Sequence, residues 1–198
     1  MAQIGKPQYR TGQDALTPKE YNKILSVCRS IDEELLIKFA VSTALRRDDL
    51  INVEIANIKF EEDKEGIVTS TLTYTEHKKR IFKGGPSKIR TIQMGPSLTQ
   101  LIIKYIGTLG KKKRPIYLFQ FRSKTAYNMM QSLCERAGIS NRPFHSLRAT
   151  AVKRCQSAGW TPEQVSELTG DTIRVIQQYY ATPSSDEMKE VAKLKEVI

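Results

Sequence analysis

The stretch GIVTSTLTYT, residues 66–75, interrupts a chain that otherwise reads as helical. Valine, isoleucine and threonine crowd it, and β-branched side chains suit a pleated strand better than a helix. The next stretch, HKKRIFKGGPSKIRTIQM at residues 77–94, reads as a strand, a Gly-Gly-Pro turn and a further strand. The expectation is a mainly α fold with a small antiparallel β-sheet of three strands.

Helical patterns lie on both sides. Ahead of the sheet, LTPKEYNKILSVCRS (residues 16–30) has Thr17 as N-cap, Pro18 at the first helical position and Glu20 to complete a capping box. IDEELLIKFAVSTAL (residues 31–45) is a second helix with a strong apolar face. RRDDLINVEIANIKF (residues 46–60) restarts the pattern, with Leu50, Val53 and Ile58 spaced for burial, and reads as helical at its start. After the sheet, a helix is expected from Ser97 as cap to about Gly110, then the basic connector KKKRP and the short apolar segment IYLFQF. Ser123 should cap another helix; one more follows RPFHSLR and runs to about Ser157. Thr161 should cap a helix ending at Gly170, and TIRVIQQYY makes the next. Residues 1–15 read as a flexible arm or linker, residues 16–183 as one domain, and residues 184–198 as an amphipathic C-terminal helix.

Apolar residues make up 39% of the 198 and charged residues 27%, which fits a soluble globular chain and argues against disorder. No apolar run is long enough to span a membrane, and the N-terminus lacks the apolar stretch of a signal peptide, so an intracellular protein is expected. Cys28, Cys134 and Cys155 are too few and too scattered for a disulfide framework or a zinc site. The formal charge of +11 favours a polyanionic partner, without choosing between DNA, RNA and acidic lipid.

Three groups of residues carry chemistry. Arg46 and Arg47 sit in STALRRDD beside a buried apolar face. A guanidinium there can grip two phosphate oxygens with its planar fork, and Asp49, three residues beyond Arg46, is placed to orient it. His145 and Arg148, in PFHSLRAT, share one helical face near a helix N-terminus that could point at an anion. Two arginines and a histidine make a clamp for a pentacoordinate phosphoryl transition state. Tyr179 and Tyr180 close a helical stretch just before ATPSSD. A phenol needs a positive neighbourhood to act as a nucleophile. Each residue also has a plain alternative: solvated arginines, a core or capping histidine, packing tyrosines.

Taken in order, these segments resemble the catalytic domain of the tyrosine recombinases, the phage integrase family, from Leu16 onward. TALRRDDL resembles the stretch with the first catalytic arginine, which the family usually precedes by Thr-Gly-Leu. The resemblance makes Arg46 catalytic and Asp49 its buttress. FKGGPSKIRTIQM resembles the β-hairpin whose lysine protonates the leaving 5′-oxygen. Lys83 takes that role if the turn has grown by two residues; Lys88, Lys78 and Lys79 are the alternatives. FHSLRAT resembles the His-x-x-Arg box, assigning His145 to acid–base and phosphate contacts and Arg148 to the second clamp. ELTGDTIRVIQQYYAT resembles the stretch that ends in the nucleophile, Tyr180, with Tyr179 as runner-up.

The implied activity is site-specific DNA strand exchange through a 3′-phosphotyrosyl intermediate. That intermediate stores the energy of the cut bond, so religation needs neither ATP nor metal, and no cofactor is implied. The implied partners are double-stranded DNA and further protomers, as a dimer or tetramer. The tail face of Met188, Val191, Leu194 and Val197 would dock on a neighbouring subunit. The setting would be cytoplasmic, on a nucleoid or inside a host cell. Arg47, Lys78, Lys79, Arg80, Lys111, Lys112, Lys113 and Arg114 are assigned to DNA phosphates or to solvent, with Arg47 facing away from the clamp.

Two departures stand out. After ELTG the family usually has His, sometimes Trp or Lys, donating to the scissile phosphate. Here the residue is Asp171, whose carboxylate would repel that phosphate, with the Thr172 hydroxyl as a substitute donor. Family members also commonly carry a helical part ahead of this domain that closes around the duplex, whereas 15 residues precede Leu16. The chain is thus read as a fragment or a short recombinase. A strand-relaxing enzyme of the type IB topoisomerase kind and a non-catalytic or weakened DNA-binding protein are the rival readings.

Overall fold

The computed structural model describes residues 14–75, 89–110 and 116–179. Three helices lead: α1 (Pro18–Ser26), α2 (Ile31–Thr43) and the short α3 (Arg47–Ile51). A three-stranded antiparallel sheet follows in the order β1-β2-β3, with β1 at Ile58–Glu62, β2 at Val68–Thr75 and β3 at Ile89–Met94. Among the described residues five helices follow: α4 (Pro96–Thr108), α5 (Ser123–Arg136), α6 (Ser146–Ser157), α7 (Pro162–Thr169) and α8 (Ile173–Tyr179).

The helix starts at Thr17 and Thr161 form as expected. Each threonine side chain accepts from the backbone three residues on, and Glu20 and Gln164 close the two capping boxes. Two other caps differ. Gly95 precedes α4, so Ser97 lies inside the first turn, with Pro96 ahead of it. Ser123 begins α5 behind Arg122, and its hydroxyl donates to Asp48 Oδ1 at 2.8 Å instead of capping the helix.

The strand assignment also shifts. Helix α3 stops at Ile51, as a helical start to this segment allowed, and Ile58–Glu62 is β1, a strand not expected from the sequence. Leu50, Val53 and Ile58 are buried as their spacing required. What stops the helix is a non-local pairing. Ile55 donates to the Ile116 carbonyl at 3.0 Å and Leu118 to the Val53 carbonyl at 2.7 Å, which draws residues 53–55 onto the apolar IYLFQF segment. The strand expected just before the Gly-Gly-Pro turn lies outside the described residues, as does the C-terminal helix.

Ile58 faces Leu72, and Leu72 faces Ile92 across the sheet. One face of β3 is buried through Arg90, Ile92 and Met94, while Ile89, Thr91 and Gln93 are exposed. The main core joins this face to α2, α4 and α5 through Phe39, Leu72, Ile102, Tyr105 and Leu133. A second, smaller cluster unites Ala149, Val152, Val165 and Ile176 from α6, α7 and α8. Helix α6 serves both: Leu147 and Ala151 belong to the first cluster, Ala149 and Val152 to the second. A helix packed on both sides buries every residue from Ser146 to Val152, including Arg148.

Arg90 joins the sheet to α7. Its Nη1 donates to the Glu167 carbonyl at 2.9 Å, satisfying an acceptor that the helix end leaves open. Gly170 lies against the same guanidinium in the left-handed region, at φ 78°. A Cβ placed there would sit 2.6 Å from the Arg90 guanidinium carbon. Gly170→Ala therefore combines backbone strain with overpacking, and an overall loss of about 2 kcal/mol is expected. Thermal unfolding should show Tm lower by roughly 4–8 °C. A change below about 1 °C would mean that Arg90 does not hold the α7 end.

Candidate active site

Arg46, His145 and Arg148 come together at one cavity of about 310 Å³, lined also by Leu45, Arg47, Asp48, Tyr127, Pro143 and Phe144. Each has a distinct support. Arg46 caps α3 in an extended conformation and remains 44% exposed at its side chain. It follows Ala44, which takes the left-handed conformation (φ 52°) as the C-cap of α2. A β-carbon there costs roughly 1–2 kcal/mol, and a glycine, as in the family's Thr-Gly-Leu, would avoid that strain.

Arg148 is 3% exposed and locked at several points. Its Nη1 donates to the Ala44 carbonyl at 2.5 Å and its Nη2 to the Thr169 carbonyl at 2.7 Å. The ends of α2 and α7 thus place their open carbonyls on one guanidinium, where a cation is favourable. Asp171 completes the arrangement. Its Oδ2 accepts from Arg148 Nη2 at 2.5 Å and its Oδ1 from Arg46 Nη2 at 2.8 Å.

The carboxylate that bridges the two arginines is therefore Asp171, while Asp49 is buried within α3. Arg47, expected to face away, lines the same cavity and lies 3.8 Å from Asp48. Thr172 Oγ1 accepts from Val175 N at 3.3 Å and caps α8. The amides at the start of α6 are also engaged: Ser146, Leu147 and Arg148 donate to the carbonyls of Pro143, Phe144 and His145. The start of α6 thus has no open amide at Ser146, Leu147 or Arg148 to offer an anion.

His145 precedes α6 and is exposed at the surface, while its imidazole lies close enough to the surrounding protein to lose hydration. Its pKa is pushed below the ordinary 6.5, first by burial of the imidazole and then by the Arg148 charge, against a smaller opposing pull from Asp171. Folding then favours the neutral ring. The associated stability is complete above pH 6.5 and is lost as pH falls through the lowered folded-state value. His145→Gln should accordingly flatten this part of the Tm profile between pH 7.5 and 5, about the range in which histidine titrates. A variant with the same acid slope as the parent would remove His145 from the account. The free thiols are all raised by burial, Cys28 to about 11, so none is activated as a nucleophile.

Tyr127, Asp48 and Arg90 were not found by sequence reasoning. Tyr127 lies on α5 with Lys124 Nζ 5.3 Å from its ring centre, and nothing in SKTAYNMM distinguishes it from a packing residue. Tyr179 is the last residue of α8, and Tyr180 follows outside the described residues. So do Lys78, Lys79, Arg80, Lys83, Lys88 and the run Lys111, Lys112, Lys113 and Arg114.

Residues 14–186 match the model of the phage integrase family, and the chain belongs to that family. Among curated proteins it is similar to tyrosine recombinase XerA of Pyrococcus horikoshii, 26% identical over 196 residues, covering 93% of this chain and 63% of that one. XerA of Saccharolobus solfataricus is 25% identical over 175 residues, covering 88% and 54%. The chain thus spans between about half and two thirds of the length of these relatives. A crystal structure of XerA recombinase superposes with a TM-score of 0.71 at 17% identity, covering 91% of this chain and 64% of that one. The catalytic domain of bacteriophage HP1 integrase gives 0.60 at 19% identity, covering 92% and 95%. The fold is that of tyrosine recombinase catalytic domains. Among the described residues, no helix is long and apolar enough to cross a membrane.

Proposed function

We propose that residues 16–183 are the strand-cleaving and strand-joining unit of a site-specific DNA recombinase. The observation that carries this reading is the convergence of Arg46, His145 and Arg148 on one cavity, with both guanidiniums directed at a single anionic group. In the reaction, the Tyr180 oxygen attacks the scissile phosphorus and the bond to the 5′-oxygen breaks. A hairpin lysine, Lys83 in the first instance, gives its proton to that oxygen. Arg46 and Arg148 hold the non-bridging oxygens as charge develops. His145, neutral near pH 7, donates its ring N–H to a non-bridging oxygen and takes up the proton that the Tyr180 phenol loses on attack. A 5′-hydroxyl then attacks the phosphotyrosine and releases Tyr180. Bonds of the same kind are broken and made, so the exchange is close to isoenergetic.

Double-stranded DNA is the proposed partner, supported by the charge of +11 and by a similar fold in XerH bound to its difH substrate, at a TM-score of 0.64. Assembly as a dimer or tetramer through the tail helix, and a cytoplasmic setting on a nucleoid or in a host cell, belong to the same proposal. The test is a suicide substrate: duplex carrying the DNA that flanks the gene, nicked beside the cleavage point so that religation is blocked. Covalent protein–DNA product supports the reading. Binding without such product supports the non-catalytic alternative, which the position of Asp171 favours. Relaxation of supercoiled DNA without exchange supports the topoisomerase-like one.

A further inference from the structure

Asp171 sits where the proposed mechanism requires a phosphate. One carboxylate oxygen meets Arg46 at 2.8 Å and the other meets Arg148 at 2.5 Å. Two arginines receiving one oxygen each is also how a clamp would hold the two non-bridging oxygens of a phosphodiester. The carboxylate does not reach this place on a loose loop. The Asp171 amide donates to Thr169 Oγ1 at 3.1 Å, and its carbonyl accepts from Ser166 Oγ at 2.8 Å. Thr169 Oγ1 in turn donates to the Val165 carbonyl at 2.9 Å. The last turn of α7 therefore aims the side chain at the arginines.

The two arginines are not equivalent. Arg148 is 3% exposed and also bound to the Ala44 and Thr169 carbonyls, so its position is fixed. Arg46 is 44% exposed, on the open side of the pair. Asp171 itself is 13% exposed. A buried guanidinium without a counter-anion is unfavourable, so the Arg148 half of the bridge has a structural reason to persist. The Arg46 half lies in contact with water and is the weaker of the two.

We infer that Asp171 is a resident anion of the phosphate seat: it keeps Arg46 and Arg148 turned toward a common point and yields Arg46 when a DNA phosphate enters. This rests on the reading of Arg46 and Arg148 as the phosphate clamp. Asp171 is thereby a positioning residue that also sets the threshold for engaging DNA. A phosphate must compete with a carboxylate already in place, so stray backbone phosphates are engaged poorly. Full contact depends on the rest of the duplex holding one phosphate against the seat.

The probe is inorganic phosphate, titrated into the whole chain and followed through the arginine Nε–Hε resonances in NMR spectra. Asp171→Asn removes the charge at nearly constant shape. It should bind phosphate at least about tenfold more tightly than the parent, with the Arg46 resonance moving most. The gain should vanish in the Arg46→Ala, Asp171→Asn double variant. In phosphate-free buffer the Asn variant should unfold at lower temperature than the parent, and added phosphate should restore part of the difference. Asp171→Ser serves the same purpose if the Asn variant folds poorly. Equal phosphate affinity in the parent and the neutral variants overturns the inference. A suicide-substrate reaction on the same proteins separates the two layers. Covalent product with unchanged phosphate affinity leaves the recombinase reading standing and rejects the resident anion. A tenfold gain without covalent product in any variant does the reverse.

Discussion

Tyr180→Phe is expected to eliminate covalent attachment to a suicide DNA substrate while leaving noncovalent duplex binding within a factor of about two. The expectation follows from chemistry and from chain order. A phosphotyrosyl bond needs the phenolic oxygen, which Tyr180→Phe removes. The described part of α8 runs to Tyr179, and Tyr180 follows it in the chain. Phe retains the aromatic ring and removes only the hydroxyl, and retained duplex binding shows that a loss of product is not unfolding. Peptide mapping of the adduct formed by the parent chain identifies the attacking residue independently. An adduct on Tyr179 would move the nucleophile by one residue and keep the mechanism. An adduct undiminished in the Tyr179→Phe, Tyr180→Phe double variant would remove both residues as the nucleophile.

Arg148→Ala should show the next largest effect, and on two properties at once. The side chain ties Ala44, Thr169 and Asp171 together from a position that is 3% exposed. Removing one member of a buried charged set costs about 3–5 kcal/mol, so Tm should fall markedly. Loss of a transition-state donor should also lower single-turnover cleavage by roughly 10²–10³ at saturating protein. Arg148→Lys separates the effects. It keeps a buried cation, and stability should recover in part, but an ammonium cannot reproduce the two-pronged contact, so cleavage should stay low. Arg46→Ala makes the contrast sharper: its exposed side chain predicts a small change in Tm alongside a large loss of cleavage. If cleavage and duplex binding fell in equal proportion in both alanine variants, the arginines would be ordinary backbone contacts and not a transition-state clamp.

The residues that converge on the cavity show which signals were legible. Arg46, His145 and Arg148 were named from short segments, because an arginine beside a buried face and a histidine one helical turn from an arginine each point to a phosphate. The ordered series of segments then made the family resemblance specific, and the family model confirms it over residues 14–186. Asp171 was singled out for its charge, yet its geometry was not legible. Its partners lie 125 and 23 residues away in sequence, and no local pattern encodes an ion pair of that separation. Tyr127 and Arg90 were missed for a related reason. Each sits in an ordinary amphipathic pattern, and only the neighbouring element gives it a role.

By itself the sequence determined the class of fold, most helix starts, the apolar positions that make the core and the order of the candidate catalytic segments. These follow from local chemistry: capping residues satisfy free amides, β-branched runs prefer strands, and apolar spacing marks a buried face. Tertiary structure alone decided where α3 ends and β1 begins. Leu50, Val53 and Ile58 were equally suited to burial on either element, and the hydrogen bonds from Ile55 to Ile116 and from Leu118 to Val53 selected the extended form. It also decided the electrostatics of the site. Arg148 is desolvated because α6 is packed between two apolar clusters, and a desolvated guanidinium must gather acceptors from whatever lies around it. Those acceptors are the ends of α2 and α7 and the carboxylate of Asp171, groups far apart in the chain that meet only when both clusters close.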